Sequence, residues 1–169
     1  MDEKTRKAMV SSKNEHWNTP ESVLLPLRSM GPVLLDPCSN SSSIVNARTA
    51  YDGVTADGLT LSWQCGGLVY VNPPYGRKLK LWVKKCVNEA AIARENNNNT
   101  EIVMLGPART DTQVFQSSIL PTAGSVLLWA GRITFLGAKA PSVFPSFLAY
   151  WGPNPAKFKI AFLGKGWFI

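Results

Sequence analysis

The chain has 169 residues, of which 45% are hydrophobic and 17% charged, and its formal net charge is +7. This composition predicts an ordinary globular domain, and no apolar run reaches the roughly 20 residues that a membrane-spanning helix needs. With one histidine, His16, and three widely spaced cysteines, the sequence argues against a histidine-based triad, a disulfide framework and a metal site. The basic excess favours a polyanionic partner, although charge alone does not separate such a protein from any soluble basic one.

The first part of the chain predicts a tail, a helix and a short strand. Residues 1–15 have little apolar content, so we expect a flexible tail there and one domain at residues 16–169. The tail lacks the apolar stretch of a signal peptide, so the expected location is the cytoplasm. Asn18-Thr19-Pro20-Glu21 is typical of a helix start with Asn18 or Thr19 as the cap, and Gly31-Pro32 would stop that helix. An apolar run at residues 33–35 then predicts a buried strand.

Strands and helices alternate through the middle of the chain. Residues 47–51 and 68–71 predict strands, and the second of these is the clearest in the sequence. Apolar side chains at helical spacing predict a helix at about residues 78–94, with lysines on its opposite face. A buried strand is expected at residues 102–105 and a helix at about residues 112–119. Beyond Pro121, turns containing Gly and Pro separate four predicted strands, at residues 125–129, 133–136, 146–151 and 157–163.

This order of elements predicts an α/β fold whose sheet is mostly parallel, with antiparallel C-terminal strands. Ligands of such sheets bind in the crevice beyond the carboxyl ends of the strands. Asp36, Asp57, Asn72 and Pro107 all fall at or just after predicted strand ends. We therefore expect these four residues to converge on one edge of the sheet.

The strongest functional signal is Asn72-Pro73-Pro74-Tyr75, which directly follows the clearest strand. Prolines cannot continue a central strand, so these residues must form a loop at its carboxyl end, named here the NPPY loop. The Asn72 side-chain oxygen and the Pro73 carbonyl could accept the two N–H groups of an aromatic amine and favour its pyramidal, nucleophilic geometry. Pro73 and Pro74 would fix the loop, and Tyr75 would stack on an extruded base. The alternative is a proline-stiffened turn whose tyrosine simply covers the core.

Further motifs occur in a shared order with the NPPY loop, from about Trp17 to Phe135. They are Trp17-Asn18-Thr19-Pro20, Leu35-Asp36-Pro37-Cys38, Asp57-Gly58-Leu59 with Trp63, Val71-Asn72-Pro73-Pro74-Tyr75-Gly76, and Gly131-Arg132 with Phe135. In this order and spacing, the chain resembles the phage-encoded DNA N6-adenine methyltransferase family (Dam type). The resemblance implies a Rossmann-like, S-adenosylmethionine-dependent methyltransferase sheet and double-stranded DNA as the substrate. It also implies S-adenosyl-L-methionine as the cofactor, no metal, and the cytoplasm of a host cell as the location.

The resemblance implies where the methionine end of the cofactor would bind. Asp36, with Pro37 and Cys38 beside it, would lie where the first strand meets the cofactor's ammonium and sulfonium charges. A turn cap beside Pro37 is the plainer role for this carboxylate. One departure from the broader class of amino-methyltransferases affects this region, because Ser39-Asn40-Ser41-Ser42 stands where those enzymes usually carry a glycine-rich turn. The phage family resembles this chain in that respect.

The remaining cofactor-binding residues also follow from the resemblance. Asp57, followed by Leu59, would contact the cofactor's adenine, although on the residues alone a plain Asp-Gly turn is the better interpretation. Trp17, Thr19 and Pro20 would close over the cofactor, although a helix cap explains Thr19 and Pro20 almost as well. Asn72 would contact the cofactor as well as the substrate.

Positive side chains crowd the segment that follows the NPPY loop, including Lys84 and Lys85. Such a segment beside a flipped base fits phosphate contacts, whereas the usual interpretation of a charge run is the solvated face of a helix. Two arginines from later turns complete the candidate DNA interface, and for one of them the position matches the family. The candidate DNA-binding residues are Arg77, Lys78, Lys80, Arg109 and Arg132.

Two other functions stay open from the residues alone. Loops of the NPPY type also occur in RNA and protein-glutamine methyltransferases, which act on planar amines or amides. The basic net charge argues against a protein substrate but does not separate RNA from DNA. The altered turn after the first strand also leaves open an inactive, DNA-binding relative.

Overall fold

The computed structural model describes residues 17–169, so the expected tail at residues 1–15 and His16 lie outside the described residues. Within residues 17–169, seven strands form one sheet, flanked by three α-helices and a short π-helix. The strands are β1 (Val33–Asp36), β2 (Thr49–Ala50), β3 (Leu68–Val71), β4 (Glu101–Pro107), β5 (Ser125–Trp129), β6 (Ser146–Trp151) and β7 (Gly166–Phe168). The helices are α1 (Glu21–Ser29), α2 (Leu79–Glu95), the π-helix (Phe115–Ile119) and α3 (Pro155–Ala161).

The sheet is parallel in its first half and antiparallel in its second. Its strand order is β2-β1-β3-β4-β6-β5-β7. The pairs β2–β1, β1–β3 and β3–β4 are parallel, whereas β4–β6, β6–β5 and β5–β7 are antiparallel. The expected antiparallel C-terminal strands are therefore confirmed for the described residues, whereas the sheet is parallel only in its first half, in three of its six strand pairs.

The pairing directions place several strand ends together. Because β6 runs against both β4 and β5, the strands β1, β3, β4 and β5 all point the same way. We call the edge where these four strands end the carboxyl edge. The chain passes from β1 to β2 on one side and then to β3 on the other, so the strand order reverses between β1 and β3. Sheets of this kind bind ligands at that reversal.

Alternating side chains of the central strands build a core on both faces of the sheet. On one face, Tyr70 and Val103 pack with Leu24 of α1 and Phe158 of α3. On the other face, residues such as Val69 and Met104 pack with side chains of α2 and the π-helix, including Trp82, Cys86 and Phe115. The central strands are buried on both faces, as expected for continuously apolar strands in a parallel sheet.

Two of the predicted C-terminal strands are wrong. Residues 157–163 belong mainly to α3, because Asn154 caps that helix by accepting a hydrogen bond from the Lys157 N–H at 3.0 Å. Pro155 at the first helical position, with buried Phe158 and Phe162 four residues apart, also favours helix. Residues 133–136 form no strand, and only one isolated bridge, between Asn18 and Leu136, occurs there. The helix expected at residues 112–119 is reduced to the π-helix.

None of the helices in the described part of the chain is long and apolar enough to cross a membrane.

Candidate active site

The NPPY loop begins at the carboxyl edge, in the first residue after β3. All four residues of β3 are buried, which fixes the point where the loop starts. Pro73 is buried, whereas Asn72, Pro74 and Tyr75 are partly exposed. Gly76 ends the loop at φ 125°, a backbone conformation that residues with a Cβ rarely adopt. The loop therefore lies at the surface of the sheet edge rather than inside the core.

Hydrogen bonds fix the orientation of the Asn72 side chain. Its amide Nδ2 donates to the Trp17 carbonyl oxygen at 2.9 Å and to the Thr19 Oγ1 at 3.2 Å. A backbone carbonyl can only accept, so the nitrogen of the amide must face Trp17. The Asn72 Oδ1 therefore points the other way, and no group among the described residues donates to it.

Thr19 has a different role from the helix cap that the sequence predicts. The residue at the N-cap of α1 is Pro20, without a side-chain cap hydrogen bond. The Thr19 hydroxyl lies 2.9 Å from the Tyr70 hydroxyl, and it also accepts from Asn72. Thr19 and Tyr70 are both buried, so this network links the segment before α1 to β3 and to the NPPY loop.

Asp36 ends β1 beside the NPPY loop and is 4% exposed. Its carboxylate accepts from the Cys38 N–H at 3.2 Å and from the Ser43 hydroxyl at 3.4 Å. Burial raises the pKa of Asp36 to about 6, although these bonds and one from Ser39 partly oppose the shift. None of the ion pairs among the described residues includes Asp36. The site thus contains a buried carboxylate without a matching cation.

These residues line a small polar pocket, which we call the β1–β3 pocket. Six of the residues predicted from the sequence meet there, and the sequence did not identify the other five. The predicted ones are Trp17, Thr19, Asp36, Cys38, Asn72 and Pro74, and the others are Asn18, Asn40, Ser43, Val45 and Tyr70. The polar run at residues 39–43 was the available signal for Asn40 and Ser43.

The β1–β3 pocket is small. Its volume is about 30 Å³, which is roughly the space of one water molecule. Asn40 contributes to its wall by donating to the Asn18 Oδ1 at 2.9 Å. Any larger ligand would therefore need the loop at residues 39–43 or the segment at residues 17–19 to move outward.

Tyr75 of the NPPY loop belongs to an aromatic cluster with Phe135 and Trp17. The Phe135 ring lies 6.3 Å from the rings of both Trp17 and Tyr75, edge-on to the second. The Tyr75 hydroxyl is buried without a hydrogen-bond partner in the described part of the chain, and burial raises its pKa. The bridge between Asn18 and Leu136 holds the Phe135 segment against the segment before α1. The stacking of Tyr75 on a base stays a prediction.

Four of the predicted cofactor residues lie outside the β1–β3 pocket: Pro20, Pro37, Asp57 and Leu59. Asp57 is exposed, and its carboxylate accepts from the Leu59 N–H at 2.9 Å, as in a plain Asp-Gly turn. Gly58 brings this turn against β1, because a Cβ at Gly58 would lie 1.9 Å from the Pro37 carbonyl oxygen. Contacts between Asp57 or Leu59 and a cofactor stay a prediction.

Trp63 explains how the Asp57 turn is held in place. Its indole Nε1 donates to the Gly58 carbonyl at 2.8 Å, and its ring stacks on Trp82 of α2 at 6.2 Å. The buried Glu89 of α2 accepts from the Trp63 N–H at 3.1 Å. Although burial opposes it, bonds from Lys85 and neighbouring groups lower the pKa of Glu89. Lys85 therefore forms an internal ion pair with Glu89, and a phosphate contact from Lys85 stays a prediction.

The candidate DNA-binding residues are all exposed at or near the carboxyl edge. Arg77, Lys80 and Arg109 line one further pocket, between the NPPY loop and the π-helix. Lys78 occupies the N-cap of α2, whose first turn contains no acidic residue. Arg132 follows β5, and its guanidinium donates to the Val143 carbonyl at 2.5 Å. Part of the guanidinium therefore stabilises the loop between β5 and β6. DNA contacts at these residues stay a prediction.

The fold and this site together describe a mixed α/β protein that places an oriented amide and a buried carboxylate at the carboxyl edge of its sheet. The family model for DNA N-6-adenine-methyltransferase (Dam) matches residues 6–144 of the chain. The chain therefore belongs to this family, as its motifs predicted. No individual curated protein matches it. Membership in the family implies DNA adenine methyltransferase activity at the level of the family. No cluster of three or more potential metal ligands occurs within residues 17–169.

Proposed function

We propose that this protein transfers a methyl group from S-adenosylmethionine to the N6 atom of an adenine flipped out of double-stranded DNA. The observation that carries the proposal is the orientation of Asn72, whose Oδ1 is left to accept because its Nδ2 donates to Trp17 and Thr19. In this proposal residues 16–169 form one Rossmann-like methyltransferase domain.

The NPPY loop would act on the amine of the target adenine. The lone pair of this nitrogen is delocalised into the ring, so the free base is a poor nucleophile. The Asn72 Oδ1 and the Pro73 carbonyl oxygen would accept its two N–H groups and stabilise the pyramidal nitrogen that develops in the transition state. Asn72 is fixed before the reaction by two hydrogen bonds, so little reorganisation is needed when the base arrives.

Asp36 fits the charged end of the proposed cofactor. S-adenosylmethionine supplies an electrophilic methyl carbon on a positively charged sulfur, and it carries an ammonium group. A buried carboxylate that no lysine or arginine of the described residues neutralises suits such a cation. Asp36, with the hydroxyl of Ser43 and the backbone near Cys38, would hold the ammonium end in the β1–β3 pocket.

The size of the β1–β3 pocket implies a movement on binding. A volume of about 30 Å³ admits a charged end group but not a whole nucleoside. The loop at residues 39–43, which contacts the segment before α1 through the bond from Asn40 to Asn18, would move outward to admit the cofactor and the base. The segment at residues 17–19 would keep its bonds to Asn72 and lie over the bound molecules, and Tyr75 would present its ring to the base.

DNA would lie along the carboxyl edge, where the candidate cations follow β3, β4 and β5. Arg77, Lys78 and Lys80 stand directly after the NPPY loop, and Arg109 and Arg132 follow the next two strands that end at this edge. Phosphate contacts from these side chains would position the duplex and make its affinity depend on salt.

The direct test is to express the protein in cells that lack adenine methylation and to sequence the modified bases of their DNA. We expect N6-methyladenine at one short sequence, with resistance of that DNA to nucleases that methylation blocks. Purified protein should methylate the same sequence in a duplex but not in RNA. DNA without modified adenine, from cells that contain folded protein, would contradict the proposal.

A further inference from the structure

The carboxyl edge contains a second cavity, separate from the β1–β3 pocket, which we call the β3–β4 pocket. It has a volume of about 170 Å³. The end of β4, the start of α2 and the π-helix surround it. Its lining residues are Gly76, Arg77, Leu79, Lys80, Val83, Pro107, Arg109, Thr112, Val114, Phe115, Ile119 and Phe147.

The interior of the β3–β4 pocket is apolar. Phe115 and Phe147 contact each other edge to face at 5.4 Å and contribute to its wall, together with the aliphatic side chains of Val83 and Val114. Such a surface favours a flat, apolar group over a hydrated ion. The cavity is smaller than the roughly 300–1,000 Å³ of pockets for drug-sized ligands, so it suits a single ring system.

Three cations belong to the same pocket. Arg77, Lys80 and Arg109 line it, all three are exposed, and none of the ion pairs in the described part of the chain includes them. The Arg109 guanidinium lies 4.4 Å from the centre of the Phe144 ring, which holds it in place without neutralising it. None of the lining side chains is acidic. An apolar interior beside three unneutralised cations complements a group that is aromatic at one end and anionic at the other.

The position of the β3–β4 pocket identifies the source of such a group. Gly76 and Arg77 are the two residues after Tyr75, and consecutive Cα atoms are about 3.8 Å apart, so the pocket begins within about 8 Å of the NPPY loop. Neighbouring nucleotides of one DNA strand are spaced by about 3.4 Å along the helix axis. A strand with its target adenine at the NPPY loop would therefore bring its neighbouring nucleotides to this pocket.

We propose that the β3–β4 pocket binds one nucleotide of the substrate strand other than the target adenine. Its base would lie against Val114 and the parts of Val83, Phe115 and Phe147 that line the pocket, and its phosphate would contact Arg77, Lys80 or Arg109. This inference rests on the proposed function, because it takes the NPPY loop as the place of the target. The β3–β4 pocket would be a second place where the enzyme binds the substrate strand, next to the reacting base.

The first test uses the unmodified protein with methyl-labelled valines and 2′-deoxynucleoside 5′-monophosphates at millimolar concentrations. We expect the methyl resonances of Val83 and Val114 to shift with at least one nucleotide and to stay in place with inorganic phosphate. Equal shifts with inorganic phosphate would show that the cations bind an anion only and would overturn the base-binding pocket. Unchanged resonances with every nucleotide would overturn it too.

The second test fills the cavity with Val114→Phe. We expect the Kd for a duplex substrate to rise about tenfold, the effect of losing one stacked base, while the affinity for S-adenosylmethionine stays unchanged. Ala91→Phe is the matched control, because Ala91 lines a groove formed with the C-terminal half of α2, away from the NPPY loop. Unchanged DNA affinity in Val114→Phe, with adenine methylation intact, would refute the β3–β4 pocket and leave the proposed function standing. Absence of methylation by the unmodified protein would instead refute the proposed function.

Discussion

Asn72 is held by groups that lie more than fifty residues before it in the chain, which is why its neighbours in sequence do not explain its geometry. Trp17 contributes only its carbonyl, which determines which end of the amide faces the pocket. Thr19 contributes its hydroxyl and connects Asn72 to Tyr70. The segment before α1 therefore orients the proposed catalytic amide, in addition to covering the pocket.

Thr19→Val should lower kcat by about tenfold, because it removes one hydrogen bond to the Asn72 amide. The valine side chain has nearly the same shape as that of threonine. Thr19→Ser keeps the hydroxyl and should restore most of kcat. Steady-state kinetics with a saturating duplex and cofactor would measure both variants. If Thr19→Val raised KM for the cofactor and left kcat unchanged, Thr19 would contact the cofactor without positioning Asn72.

The burial of Asp36 affects both the stability of the fold and the proposed binding of the cofactor. Because its folded-state pKa is raised to about 6, the folded protein binds a proton more tightly than the unfolded chain does. Stability should therefore fall as the pH rises from about 4 to about 6 and stay lower above that range, with a cost of about 2–3 kcal/mol. A buried carboxylate that weakens the fold at neutral pH is typical of a group kept for binding.

Asp36→Asn should stabilise the protein at pH 7.5 and should make little difference at pH 4, where the carboxyl group is largely protonated in the folded protein. Urea unfolding at the two pH values would measure this. The same variant should bind S-adenosylmethionine at least tenfold more weakly, because its ammonium loses a carboxylate partner. In the original protein, cofactor affinity should also fall as the pH drops below about 6. Equal stability and equal affinity of the two proteins at pH 7.5 would contradict this role.

At the scale of elements, the Asp57 turn is positioned from two sides. Trp63 and Glu89 fasten it to α2, and Gly58 packs it against the backbone of Pro37 at the end of β1. The turn thus supports the position of Asp36 through Pro37, although the Asp57 carboxylate of the turn faces solvent.

Gly58→Ala should lower the free energy of unfolding by about 1–3 kcal/mol, because its Cβ would meet the Pro37 carbonyl and displace the turn or the end of β1. Cofactor affinity should fall with it, since Asp36 directly precedes Pro37. Gly124→Ala is the control, because a Cβ there meets neighbours only at ordinary contact distances of 3.7 Å or more. Thermal unfolding and calorimetry would measure both variants. Equal behaviour of the two would show that the turn does not support the site.

The sequence predicts best those elements whose apolar residues follow one pattern throughout and whose ends are marked by turn or capping residues. Residues 68–71 and 146–151 are strands with the predicted bounds, and α2 differs from the prediction by one residue at each end. The segment at residues 157–163 was assigned wrongly because aromatic and β-branched residues favour strands locally. The cap by Asn154 and the packing of Phe158 under the sheet outweigh that preference.

The residues of the β1–β3 pocket were predictable only in part, because some of them are placed by contacts between distant parts of the chain. Asp36 and Asn72 stand at strand ends, so the polarity of parallel strands was enough to bring them together. Tyr70 belongs to a strand that reads as plain core, and its bond to Thr19 depends on how α1 packs against the sheet. Lys85 looked like a surface cation because its partner, Glu89, belongs to the same charged helix face.

In the molecule as a whole, exposed cations follow the strands that end at the carboxyl edge. The cations after β3, β4 and β5 stand at the carboxyl edge, whereas Arg94 lies at the other end of α2. Three other cations, Arg28, Lys85 and Lys157, form ion pairs with glutamates. The cations beside the NPPY loop are in no ion pair of the described residues, which is the arrangement that a polyanion needs.

Replacing Arg77 and Lys80 by alanine should weaken DNA binding and reduce the slope of log K against log salt by about 2, or roughly 0.9 for each phosphate that the protein no longer neutralises. Replacing Arg94 and Lys159, which are also exposed, removes the same charge from the last turn of α2 and from α3, and should leave most of the slope. Fluorescence anisotropy with a labelled duplex at several salt concentrations would compare the two. Equal slopes would show that net charge, not its position, attracts DNA.

The most direct test of the whole account is the formation of N6-methyladenine by purified Asn72→Ala. The duplex, after incubation with S-adenosylmethionine, is digested to nucleosides and analysed by mass spectrometry. We expect N6-methyladenine from the original protein and at least a hundredfold less from Asn72→Ala, with cofactor affinity within a few-fold, because the transition state is deprived of one preorganised acceptor. Equal yields of N6-methyladenine from the two proteins would contradict the central role of the Asn72 oxygen.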